Sequence, residues 1–241
     1  MRKNHGVYII RFNKKKILLS LIILSLIISA IKKPWKSFRA FNHENQINIV
    51  IDPGHGGIDG GTGDINDILE KEINLDVALK LKKELLVENY NIIMTREKDQ
   101  SLEELSNIGA SRYRRDLDAR RAIIEENQPV AFVSVHVNAS KKPQARGIKI
   151  YYFPGSVEGQ RLAENIKENI DEYVYGKYLK EDLKAEVLSE DYYILRETNS
   201  PGVLVEIGFI TNPEENKLLK DRKYKEKVAY AIKKGIVEFL K

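Results

Sequence analysis

Apolar residues along this chain recur in two periods, and the two alternate. Residues 47–51 (INIVI) form a short β-branched run closed by Asp52, Pro53 and Gly54, which predicts a buried strand ending in a glycine-rich loop. Over 70–88 the period changes. Ile73, Val77, Leu81 and Leu85 fall on one i, i+4 row with Ala78 beside it, predicting a helix stopped by a left-handed Asn89. Strand patterns return at 91–95, 130–135 and 148–153, with a helix at 117–127 between the first two. Leu162, Ile166, Ile170 and Val174 mark another helix, and 192–195 and 203–207 read as two further strands. Val228, Ile232, Ile236 and Leu240 stripe a final helix over 223–240. Such alternation predicts one α/β domain: a mostly parallel twisted sheet with helices on both faces.

The first 40 residues stand outside this pattern. They hold ten of the chain's 40 basic residues and no acid, leaving 30 basic against 35 acidic residues in the remainder. The overall net charge of +5 therefore belongs to the tail, and the folded part has no basic excess with which to neutralise nucleic-acid phosphates. Within the tail, residues 17–31 (ILLSLIILSLIISAI) are apolar and flanked by Lys14, Lys15, Lys16, Lys32 and Lys33. This is the export pattern, and no small-residue cleavage site follows it. We read 1–40 as a basic tail plus signal-anchor, with a cleaved signal peptide as the alternative, 41–46 as a linker, and 47–241 as the single folded domain. Six of the ten charges precede the run, which favours a cytoplasmic N-terminus and an exported domain, anchored at the membrane or secreted to the wall. The lack of cysteine fits an exported protein that relies on its core.

Four residues carry candidate chemistry. His55 follows the first strand, and His136 follows the apolar strand ending at Val135; the carboxyl ends of strands are where open α/β folds build sites. Glu70 opens its helix on the same face as Ile73 and Val77, so its carboxylate points inward and needs a partner, whereas Glu72 points away. Glu206 interrupts the buried run VLVEIGF, where an unpaired acid would be costly or protonated. Taken singly, His55 could be a turn residue, Glu70 a helix-dipole acid and His136 a satisfied core histidine. Together, two imidazoles and a carboxylate form a three-ligand metal set, and a fourth carboxylate nearby can take a proton from water. Arg196 is either a surface charge or an electrophilic clamp. The Arg112, Arg114 and Arg115 cluster reads as a solvated charged loop, with contact to peptide carboxylates or a partner protein as the minority alternative.

These residues sit in DPGHGG around His55, E-K-x-x-N-L from Glu70, S-x-H-x-N around His136, and L-V-E-x-G-F-x-x-N-P around Glu206. In that order the motifs resemble the zinc-dependent N-acetylmuramoyl-L-alanine amidases (the Amidase_3 group), and more narrowly the CwlD-type germination-specific amidases of spore formers. The resemblance implies one Zn2+ held by His55, Glu70 and His136, with Glu206 as catalytic acid/base. It also implies peptidoglycan as substrate and a step toward muramic-δ-lactam in the spore cortex. Arg196 and Asn138 are expected to steady the oxyanion or orient the glycan, and an exported activating partner is an open expectation. A 2-His-1-carboxylate set also suits iron(II), but it would leave Glu206 without a role. A wall-binding protein without activity, or a peptidase cutting within the stem, remain as alternatives.

Overall fold

The computed structural model describes residues 47–64 and 67–241, so the apolar run and linker lie outside the described residues. Among the described residues no helix is long and apolar enough to cross a membrane. In chain order the elements are β1 (Asn48–Pro53), the two-residue strands β2 (Gly63–Asp64) and β3 (Ile68–Leu69), α1 (Glu70–Leu86), β4 (Asn91–Met94), a 3-10 turn (Glu103–Leu105) and α2 (Arg112–Asn127). They continue with β5 (Ala131–Asn138), β6 (Lys149–Tyr152), α3 (Val157–Ile170) running into a π-helical stretch (Asp171–Leu179), β7 (Glu186–Ser189), α4 (Tyr193–Arg196), β8 (Gly202–Phe209), α5 (Pro213–Lys220) and α6 (Arg222–Phe239).

The main sheet runs β4-β1-β5-β8-β6-β7. Every neighbouring pair is parallel except β6 and β8. Strand alternation then sorts the side chains. Ile49, Ile51, Val133, Val135, Val203 and Val205 face one side and are buried with α1, α3 and α6. Val50, Phe132 and Leu204 face the other, where Ile124 of α2 and Ile194 and Leu195 of α4 cover them. With period two, Asp52, Ser134, His136 and Glu206 must share that second face.

The mostly parallel α/β architecture with helices on both faces is as expected, and Asn89 takes the left-handed conformation (φ 64°) that stops α1. One assignment is corrected. Residues 192–195 are not a strand; Tyr193–Arg196 form a helical turn. Ile194 and Leu195 are consecutive and both join the cluster beneath α2. A strand would have sent them to opposite faces, and a short apolar run gives no periodicity by which to tell the two apart. The strand at this edge is β7, half-exposed and with a polar residue at each end.

Candidate metal centre

The site is built at the carboxyl ends of β1, β5 and β8. Parallel register sets His136 directly beside Glu206 and Asp52 beside Ser134. Past Glu206 the β5–β8 register slips by one residue between His136 and Asn138, with Gly208 at φ 144°. Such an irregularity re-aims the strand end where the side chains must converge.

Glu70 comes from the other side of the sheet. It is the first residue of α1, and that helix has no side-chain N-cap. Its carboxylate turns back instead. Oε2 accepts from Thr62 N (2.9 Å), while Oε1 accepts from Val137 N (3.1 Å) and lies 3.1 Å from His55 Nε2 and 3.0 Å from His136 Nδ1. Burial pushes the Glu70 carboxyl up, but the bonds with the two histidines outweigh it and hold it well below the usual carboxylate range. The two imidazoles meet edge to face, centroids 5.0 Å apart. One ligand atom from each of His55, Glu70 and His136 lies within 4.8 Å of the others.

His55 occupies a left-handed conformation (φ 60°) that an L-residue adopts only when its surroundings impose it. The loop supplies that imposition. Gly56 and Asp59 exchange backbone hydrogen bonds, which folds the chain back so that Asp59 Oδ2 reaches His55 Nδ1 at 2.8 Å. Engaging Nδ1 leaves Nε2 turned toward Glu70, the arrangement by which a second carboxylate orients a metal-ligating imidazole. Burial presses the His55 pKa down, yet the bonds to Asp59 and Glu70 prevail and lift it to about 9.

Two buried arginines clamp the loop's carbonyls. Arg96 donates to Pro53 O (3.0 Å), Gly54 O (2.8 Å) and Lys71 O (2.9 Å). Arg120 donates to Pro53 O (2.7 Å), His55 O (2.5 Å), Asp52 Oδ1 (2.7 Å) and Asp116 Oδ2 (2.6 Å). Asp52 also accepts from Ser134 and Thr95 hydroxyls, both at 2.6 Å. None of Asp52, Asp59, Arg96 and Arg120 was singled out from the sequence as a site residue.

Gly54 is where close approach excludes any side chain. A Cβ there would sit 2.2 Å from the His136 ring atoms. Gly54→Ala is expected to push that ring aside and lower metal affinity by at least about tenfold, within the range known for disturbed orienting shells. Competition with a chromogenic chelator reads this out, and unchanged affinity would show that the ring has room to move.

Glu206 completes the site. It lines the cleft with His55, His136, Tyr113, Tyr192 and Tyr193. Its Oε2 is buried without a hydrogen-bond partner. Burial lifts its carboxyl to about 7, with the nearby Glu70 charge adding to the rise and the histidines opposing it. Arg196 is placed differently. It points outward from the end of α4, paired with Asp191 (2.8 Å) and Glu197 (2.9 Å), the surface-charge position of the two expected for it. Asn138 ends β5, with Oδ1 accepting from Ala139 N at 2.8 Å.

The donor set of two imidazole nitrogens and one carboxylate oxygen, facing a buried carboxyl with an unpartnered oxygen, fits a catalytic metal with one open position. Comparison with known proteins identifies the family. The family model described as N-acetylmuramoyl-L-alanine amidase (Amidase_3) matches residues 49–238. The chain belongs to the N-acetylmuramoyl-L-alanine amidase family. The amidase is 32% identical over 192 residues to the germination-specific N-acetylmuramoyl-L-alanine amidase of Bacillus subtilis, covering 79% of this chain and 78% of that protein. It resembles the solved CwlD amidase of Clostridioides difficile, determined in complex with the GerS lipoprotein, with TM-score 0.72 and 34% identity over 81% of this chain and 98% of that one. The catalytic domain of CwlV from Bacillus (Paenibacillus) polymyxa gives TM-score 0.68 and 28% identity, with the same shares covered. The amidase is thus a hydrolase of cell-wall peptidoglycan, its family residues spanning the whole of the site described above.

Proposed function

We propose that this amidase is a zinc enzyme that cuts the bond between N-acetylmuramic acid and L-alanine during spore-cortex maturation, toward muramic-δ-lactam. His55 through Nε2, Glu70 through Oε1 and His136 through Nδ1 would hold the cation. When bound, zinc supplies Lewis acidity, polarising the scissile carbonyl and acidifying water. Glu206 then acts as proton carrier. Its carboxylate takes a proton from the attacking water as the C–O bond forms, and delivers it to the L-alanine nitrogen as the C–N bond breaks. The same carboxyl serves both steps, because the proton it takes is the one it returns. Asp59 and Arg120 keep His55 in place, and Tyr192 and Tyr113 form walls of the cleft that receives the glycopeptide.

The observation that carries the reading is the unpartnered Glu206 carboxyl beside three converging metal donors. The resemblance to a germination-specific enzyme supports the cortex role. The solved relative's lipoprotein complex supports an exported activating partner for this chain too. The apolar segment at 17–31 supports export and tethering to the membrane.

Full-length protein, zinc-loaded or chelator-treated, is incubated with purified peptidoglycan and the products are weighed by mass spectrometry. Metal-dependent release of stem peptides with free N-terminal alanine is expected; cleavage inside the stem would make the enzyme a peptidase. For the cortex role, expression in a spore former lacking its germination-specific amidase should restore muramic-δ-lactam to the cortex. Failure, with active enzyme present, would remove that role.

A further inference from the structure

The stem peptide leaves the cut with its acidic residues, yet the cleft that must hold it is itself acidic. Asp52, Asp59, Asp116 and Glu206 all line it, and the one arginine or lysine among the lining residues, Arg120, is buried and fully spent on Asp52, Asp116 and two carbonyls. The rim arginines are mostly committed as well. Arg112 pairs with Glu103, Arg121 with Asp118, and Arg196 with Asp191 and Glu197, while Arg115 donates to Ala110 O.

Arg114 differs. It is exposed in the first turn of α2, and among the described residues it has no carboxylate partner. Its guanidinium lies 3.8 Å from the centroid of the Tyr193 ring, and Tyr193 is a wall of the cleft. The adjacent Tyr113 is 63% exposed and lines the same cleft. The Tyr193 ring is held by its helical turn, and its hydroxyl sits 3.5 Å from Asp118. Stacking on a fixed aromatic face restricts a guanidinium to one plane and leaves its N–H fork directed outward, matched to a carboxylate.

We propose that Arg114, carried on Tyr193, is the element that reads a carboxylate of the stem peptide. It makes the amidase selective for acidic over amidated stems, without touching the bond that is cut. The inference rests on the muramoyl-alanine amide being that bond. Two carboxylates could serve, that of the second stem residue and that of the third or terminal residue, and amidating one at a time assigns the contact.

The test uses zinc-loaded full-length enzyme and synthetic muramoyl tripeptides, either free or carboxamide-capped at one position. Wild-type kcat/KM is expected to fall by about ten- to a hundredfold on amidation of the recognised position, as for a charged hydrogen bond lost. Arg114→Gln should lose that preference by raising KM for the free acid, with kcat and the rate on the amidated substrate unchanged. Arg114→Lys, which keeps charge but not the fork, should recover only part of it. A wild-type enzyme indifferent to amidation, or an Arg114→Gln variant that keeps the preference, overturns the proposal. Cleavage of these substrates at an amide other than the muramoyl one overturns the reaction itself, and the proposal with it.

Discussion

Glu206→Gln is expected to lower kcat by at least about a thousandfold, in line with the loss of a positioned proton carrier, while metal affinity stays within a few-fold of wild type. The same substitution should stabilise the metal-free protein at alkaline pH. Glu206 is half-buried with its Oε2 enclosed, and its carboxyl rises from 4.5 to about 7 in the folded state. A group raised on folding contributes stability that is fully present below its unfolded value and is lost as pH climbs through the folded one. The distance from 4.5 to about 7 corresponds to about 3 kcal/mol lost by pH 8. Glutamine is uncharged throughout and escapes that loss. Chelator-treated Glu206→Gln should therefore unfold at higher denaturant than wild type at pH 8, and the two should converge below pH 4.5. A variant that is inactive but no more stable at pH 8 would mean that the carboxyl is better solvated than its surroundings imply. A fully active variant would remove Glu206 from the chemistry altogether.

The residues that meet at this centre are legible in the sequence as a set, although most of them have an ordinary reading when taken alone. Glu206 puts a charge inside VLVEIGF, and Glu70 puts one on the buried row of α1. His55 and His136 stand where apolar strands end. Strand period also carried the fold, since faces alternate at every step and the register of β5 and β8 follows from burial. What lay beyond local pattern was contact between distant segments. Asp52 and Arg120 are 68 residues apart, and Arg120 sits in the charged stretch RYRRDLDARRA, which reads as solvent-facing. A signal was present all the same. Leu117, Arg120 and Ile124 follow helical spacing, with Asp116 one turn before Arg120, so the arginine lies on the apolar row of α2. Arg196 shows the converse. Its place depended on whether residues 192–196 were strand or helix, and the run was too short for periodicity to decide.

Arg120 is the second position where one substitution should cost most, and the reason is the charge balance around it. It is 2% exposed. Burial acts to lower its pKa, but Asp52 and Asp116 outweigh that and raise it. Burial likewise acts to raise Asp52, and Arg120 with the Ser134 and Thr95 hydroxyls overcomes it, holding the carboxyl below its usual value. Removing the guanidinium leaves the Asp52 and Asp116 charges without their counter-ion and His55 O without its donor, while Pro53 O keeps Arg96. Breaking a buried pair on one side typically costs about 3–5 kcal/mol. Arg120→Met is thus expected to lower the unfolding temperature by about 10 °C or more, and to weaken metal binding because His55 loses the bond to its carbonyl. Asp52→Asn added to it removes one stranded charge, so the double variant should be more stable than the sum of the two single losses predicts. Denaturant unfolding of the metal-free single and double variants closes this cycle. Acid supplies a second check. Asp52 is depressed on folding, so its contribution is present above the unfolded value of 3.8 and fades as pH falls through the lower folded value. Wild type should therefore lose more stability than Arg120→Met between pH 5 and strongly acidic conditions. Additive losses and parallel acid profiles would together show that Arg120 fills space there rather than holding the charges that anchor the His55 loop.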